Sequence, residues 1–166
     1  IGLSAVLSDA DQIADWLGAR CITHELRPVE LRYGVLHEGI YRYRTHNERT
    51  ENEEPMVNAE SSSAWEHLSQ NVRWMAERGE NCLIFVKAKH EARRGAELLA
   101  GRLRLPAAST AIEELREMES TRARDTLLRT LPNGVAFHNT DLTQEERRIT
   151  EKAFRSGEAR VMVSTS

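Results

Sequence analysis

Residues 135–166 read VAFHNTDLTQEERRITEKAFRSGEARVMVSTS, and the order of elements within this stretch decides the fold. VAFH is a short apolar run, which reads as a strand. Thr143 is followed three positions later by Glu146, the pattern in which hydroxyl and carboxylate each satisfy a backbone N–H orphaned at a helix start. The helix predicted over 144–155 stops ahead of Gly157, where a left-handed residue is wanted. Residues 160–165 then form a second apolar strand. Strand, helix and strand in succession predict a parallel sheet crossed by helices.

Upstream, CLIFV (82–86) is a continuous apolar run and reads as a strand buried on both faces. A helix over 91–103 carries Ala92, Ala96, Leu99 and Leu103 on one stripe. Another over 64–78 repeats Trp65, Leu68, Val72 and Met75 at helical spacing. Residues 110–131 read as one broken helix or two short ones, with the break near Ser120. Ser8, Ser63 and Thr110 stand three residues ahead of Asp11, Glu66 and Glu113 as further expected caps. Gly18 and Gly79 are expected helix ends. A first helix over 9–17 is expected to place Ile13, Trp16 and Leu17 on an apolar side. Residues 31–43 partly alternate, as a strand or a hairpin around Gly39. The polar stretch 44–61 reads as a surface loop or hairpin tip. Pro28 biases Arg27 toward extended geometry, so a boundary is expected near 25–30. The fold class is α/β, layered, with a mainly parallel sheet flanked by helices.

With 166 residues, 40% of them apolar and 30% charged, the chain reads as globular. Its formal charge of −3 excludes a wholesale basic surface, so any nucleic-acid contact must come from local groups. Cys21 and Cys82 lie far apart, and no Cys/His spacing suits a structural metal. No membrane span or leader is legible, and a reducing cytoplasm is the expected location. Neither a Ser-His-Asp nor a Cys-His arrangement is suggested by position. The chain starts on an apolar run without Met and stops inside a strand, which gives the expectation of a piece of a longer protein. Polar groups at the carboxyl ends of parallel strands are the first candidates for function: Lys87 to Lys89, His138 to Asp141, and Ser164 to Ser166.

Three quoted segments carry a family resemblance. GLSAVLSDADQIADWLGA (2–19) followed by RPVELRYGVLHEG (27–39) resembles superfamily 2 DExH-box helicases of the superkiller-like branch. NCLIFVKAKHEARRGAELLA (81–100) resembles their motif IV segment, and residues 134–166 the approach to their motif V. The resemblance implies a RecA-like fold within a two-lobed, ATP-driven translocase on single-stranded DNA or RNA. Residues 1–25 would be the tail of the first RecA-like domain, 26–30 a linker, and 31–166 a partial second domain, incomplete at both ends.

The same resemblance places Ser4, Ala5 and Val6 at the coupling motif III, where Val6 lacks the usual hydroxyl. Lys87, Lys89, His138 and Thr165 become the expected nucleic-acid contacts, Thr165 as the motif V threonine. Ala88 stands where a serine is common, and Asn139, Thr140 and Asp141 depart from the usual His-Ala-Gly. No G-x-x-x-x-G-K-[ST] loop, DExH acids or Q-x-x-G-R segment occur in this sequence. ATP and Mg²⁺ are therefore expected in the intact enzyme and not on this chain, which should be inactive alone and carry no catalytic residue. Expected partners are the nucleic acid, the rest of the helicase including its first domain, and, through the exposed strand 1–7, a second copy. A competing reading is a non-catalytic module, binding nucleic acid or protein, derived from the same fold.

Overall fold

The structure is a computed structural model and describes residues 9–24, 26–58 and 63–165. The coupling residues Ser4, Ala5 and Val6, the strand 1–7 proposed for self-association, and Ser166 lie outside the described residues. The chain divides into two compact units, Ile1–Pro55 and Met56–Ser166.

In the first unit, helix α1 (Ala10–Trp16) precedes an antiparallel meander of β1 (Arg32–His37), β2 (Ile40–Thr45) and β3 (Glu51–Pro55) in that order. The β1–β2 turn is formed by Glu38 and Gly39, at φ of 51° and 75°. Two successive left-handed residues give the turn twist that matches paired strands. The expected apolar side of α1 is exposed, Trp16 at 83%; a seven-residue helix with no buried residue has no face to pack. Of the two readings of 44–61 the hairpin holds, with residues 46–50 at its tip, but the stretch also contains strand β3. Glu51 and Glu53 are poor strand formers alone. Here they stand opposite Arg44 and Arg42 on β2, and Arg42 Nε reaches Glu53 Oε2 at 3.3 Å. Opposite charges in register offset the weak propensity.

The second unit runs α2 (Ala64–Glu77), β4 (Cys82–Val86), α3 (Lys89–Leu103), α4 (Ser109–Arg116), α5 (Arg122–Thr130), β5 (Val135–His138), α6 (Gln144–Arg155) and β6 (Val161–Thr165). Its strands are all parallel in the order β4-β6-β5. Passing from β4 to β5 steps one way across the sheet and from β5 to β6 the other. Right-handed crossovers therefore put α3 and α6 on opposite faces. This is α/β architecture with a helix-flanked parallel sheet, consistent with a RecA-like fold.

The core joins Val72 of α2, Ala92, Ala96, Leu99 and Leu103 of α3, Leu115 of α4, Leu127 of α5 and the strand residues Val135, Phe137, Val161 and Val163. The helical stripes expected for α2 and α3 both face it. Gly95 has a packing reason within α3: a Cβ there would lie 2.5 Å from the ring of Trp65.

The strand CLIFV is not buried on both faces. Cys82, Ile84 and Val86 meet the core, whereas Leu83 is 46% and Phe85 65% exposed. Their face continues through Met162 and Ala136, both buried. α6 joins β5 to β6, and among the described residues no element spans β4 on that side. A run of apolar residues reports hydrophobicity, not which neighbours arrive.

Residues 110–131 are two helices. α4 starts at Ser109, ahead of the expected Thr110 cap, because the Thr110 N–H donates to Glu158 Oε1 at 2.5 Å. Arg124 ends α4 by donating from Nε to the Leu115 carbonyl at 2.6 Å and from Nη2 to that of Arg116 at 3.1 Å. Thr121 caps α5, accepting the Arg124 N–H at 2.9 Å. The expected box at α6 is present: Thr143 Oγ1 accepts the Glu146 N–H at 3.2 Å, and Glu146 Oε2 the Thr143 N–H at 2.6 Å. Glu146 Oε1 also accepts from the Thr121 hydroxyl at 2.5 Å, so one buried carboxylate ties the starts of α5 and α6 together. Gly18, Gly79 and Gly157 all have positive φ, as the helix ends require.

Glu114 links α4 to α6, accepting from Lys152 Nζ at 2.7 Å and Arg148 Nη2 at 3.1 Å. These two cations, Lys152 first, hold its carboxyl below the usual glutamate range. A lowered folded-state value means a stabilisation fully present above about pH 4.5 and lost as pH falls through the folded value. Thermal melts from pH 7 to pH 3 should therefore show a steeper acid decline than the same series on Glu114→Gln.

Candidate nucleic-acid interface

The carboxyl edge of the parallel sheet gathers the polar groups. Val86 is in register with Thr165, and His138 with Ser164, so Lys87, His138 and Thr165 emerge at one edge. Lys89 opens α3 just beyond it, and the Ala88 N–H donates to Glu91 Oε2 at 3.1 Å, tightening that first turn. Loop 139–142 crosses the same edge. Asn139, buried, donates from Nδ2 to the Lys89 carbonyl at 3.2 Å, and its Oδ1 accepts the Asp141 N–H at 3.0 Å.

These bonds fix where each charge points. Lys89 Nζ meets Asp141 Oδ1 at 2.9 Å, both side chains about half exposed. The departure from glycine at Asp141 is thus compensated by a cation expected to meet phosphate, a pairing hidden by 52 residues of separation. His138 Nε2 lies 3.1 Å from Glu151 Oε1, and Arg155 Nη2 donates to the other oxygen of Glu151 at 3.0 Å. His138 is therefore held against α6 and half-buried. Lys87 is exposed and has no partner among the described residues. Thr165 is partly buried, with its carbonyl accepting from the Ser164 hydroxyl at 2.8 Å.

An ammonium, a hydroxyl and an imidazole along one strand edge can present donors to phosphate oxygens without reading bases. Base stacking has no counterpart here: Phe85 points to the β4 face, and Trp74 lies under the Arg78 guanidinium at 3.6 Å. In the first unit Tyr41 and Tyr43 stack at 5.1 Å with Arg32 above Tyr43 at 4.8 Å. That pair was not singled out from the sequence, although its i, i+2 spacing on a strand puts both rings on one face.

Comparison with known proteins finds relatives along the whole of this chain. The ATP-dependent DNA helicase Hel308 of Pyrobaculum calidifontis is 34% identical over 172 residues, 100% of this chain and 23% of the helicase. Hel308 of Pyrococcus horikoshii is 30% identical over 169 residues, 99% of this chain and 22% of its own length. That of Thermococcus kodakarensis is 30% identical over 99% of this chain and 14% of its length. This chain is similar throughout to a segment of Hel308 helicases. It spans less than a quarter of those Hel308 relatives. No protein-family model matches the chain.

Proposed function

We propose that this chain is the second-lobe part of an ATP-dependent DNA helicase of superfamily 2, in the superkiller-like branch, and that it contributes to translocation on single-stranded DNA. The similarity to Hel308 along the entire chain carries this reading. The convergence of Lys87, Lys89, His138 and Thr165 on the carboxyl edge of one parallel sheet supports it. In this reading residues 1–25 end the first lobe, 26–30 link the lobes, and Ser4, Ala5 and Val6 couple hydrolysis to movement. Lys87 and Thr165 donate to phosphates, and His138, fixed by Glu151, orders the loop beside them.

ATP and Mg²⁺ belong to the intact enzyme. In this reading their site lies outside this chain, whose sequence holds no G-x-x-x-x-G-K-[ST] phosphate loop. No step of hydrolysis is assigned to this chain. The 166-residue protein should give no ATP turnover, while the longer polypeptide carrying it should hydrolyse ATP faster with single-stranded DNA. Turnover by the short chain would contradict the assignment. A long form that binds DNA but ignores ATP would favour a non-catalytic binding module.

Asp141 adds a second expectation. Its carboxylate competes with phosphate for Lys89. An exposed pair is worth up to about 1 kcal/mol, so Asp141→Asn should tighten binding to oligo-dT by roughly two- to fivefold. The Asp141 N–H that bonds Asn139 is retained in this variant. Unchanged or weaker binding in a fluorescence titration would show that Lys89 does not face the strand.

A further inference from the structure

A cavity of about 480 Å³ lies between α3 and the start of α5, with Arg93, Glu97, Ser120, Arg122, Asp125 and Arg129 in its lining. Its charges are not all spent on one another. Arg129 Nη2 donates to Glu97 Oε1 at 2.8 Å. Asp125 is taken by Arg124 at 3.3 Å and by the Ser120 hydroxyl, which reaches both carboxylate oxygens at 3.2 Å. With both acids paired, the guanidiniums of Arg93 and Arg122 have no partner among the described residues. They come from two different helices and line one concavity.

We propose that this cavity is a phosphate-binding site, held by Arg93 and Arg122. A guanidinium presents a planar fork of donors that matches two oxygens of a phosphate, and two such forks from different helices suit a tetrahedral anion better than a flat carboxylate. Arg93 lies four residues after Lys89 on α3, on the same helix side and about 6 Å along the axis. At the other wall, Thr121 donates to Glu146 in the first turn of α6, just beyond the loop from β5. A strand crossing Lys87 and Lys89 would reach Arg93 next. The phosphate site itself is independent of the helicase reading; a DNA backbone as the source of the phosphate rests on it.

The test uses the 166-residue chain, the variant Arg93→Gln/Arg122→Gln and the charge-preserving Arg93→Lys/Arg122→Lys. Each is titrated with fluorescent oligo-dT across a salt series and, separately, with inorganic pyrophosphate followed by amide NMR shifts. Because neither arginine has a partner to lose, the Gln variant should melt with the parent. Two lost contacts should lower the magnitude of the log K against log salt slope by about 1.4, at about 0.7 per single-strand phosphate. The Lys variant should recover most of it. Pyrophosphate should shift residues 120–126 in the parent and not in the Gln variant.

If the parent binds oligo-dT and the Gln variant matches its slope, with no pyrophosphate shifts at 120–126, the cavity proposal is overturned and the helicase reading stands. Pyrophosphate shifts that the Gln variant abolishes, without any dependence of oligo-dT binding on the two arginines, make the site one for a free phosphate compound. Parent protein that binds neither probe overturns both.

Discussion

Phe137→Ala is expected to destabilise the second unit by about 3–5 kcal/mol, the range for emptying the site of a fully buried aromatic ring. Phe137 is 1% exposed, sits in β5 opposite Val163 of β6, and belongs to the core that Leu99 and Leu127 close from the helices. Domains of this size have only about 5–15 kcal/mol in total, so the variant should lose roughly a fifth or more of its stability. A urea titration should show a lower midpoint with little change in slope. Phe85→Ala supplies the contrast. Phe85 is 65% exposed on the β4 face that no element spans among the described residues, and its removal should stay within about 0.5 kcal/mol. Equal costs for the two would mean that the β4 face is covered in solution.

Gly34→Ala should open the β1–β2 pair while leaving the parallel sheet intact. A Cβ at Gly34 would stand 2.0 Å from the Arg42 carbonyl oxygen and 2.6 Å from the Tyr43 Cα. Both are backbone atoms, so no side chain can swing aside and the strands themselves must separate. The seat of the Arg32 guanidinium of β1 over the Tyr43 ring of β2 depends on this approach. Amide exchange should therefore accelerate through 32–45 with protection retained at 135–138 and 161–165. Unchanged protection in the meander would show that β1 and β2 are less closely paired than described.

Local chemistry was the legible part of this fold. Thr143 with Glu146, the glycines at 18, 79 and 157, and the stripes of α2 and α3 each follow from bonding or periodicity within a few residues. What stayed hidden depends on partners distant in sequence. β3 is strand because Arg42 and Arg44 face its glutamates, and CLIFV is half exposed because of which strands α6 joins. Thr121 carries no acid three residues on, so its cap gave no pattern to find; the acid it bonds is Glu146, 25 residues away. At the strand edge the positions of Lys87, His138 and Thr165 follow from strand ends alone. The pairing of Lys89 with Asp141 and of His138 with Glu151 does not, and it changes how much charge that edge presents.

The proposed phosphate contacts of the sheet edge are tested most directly by oligo-dT binding over a salt series for the parent, Lys87→Ala and Arg104→Gln. Lys87 follows β4 at the carboxyl edge, and Arg104 ends α3 at its far end. Log K should fall linearly with log salt, and Lys87→Ala should reduce the magnitude of that slope by about 0.7 while Arg104→Gln leaves it unchanged. Binding that ignores salt, or a slope that responds to Arg104 and not to Lys87, would contradict the account.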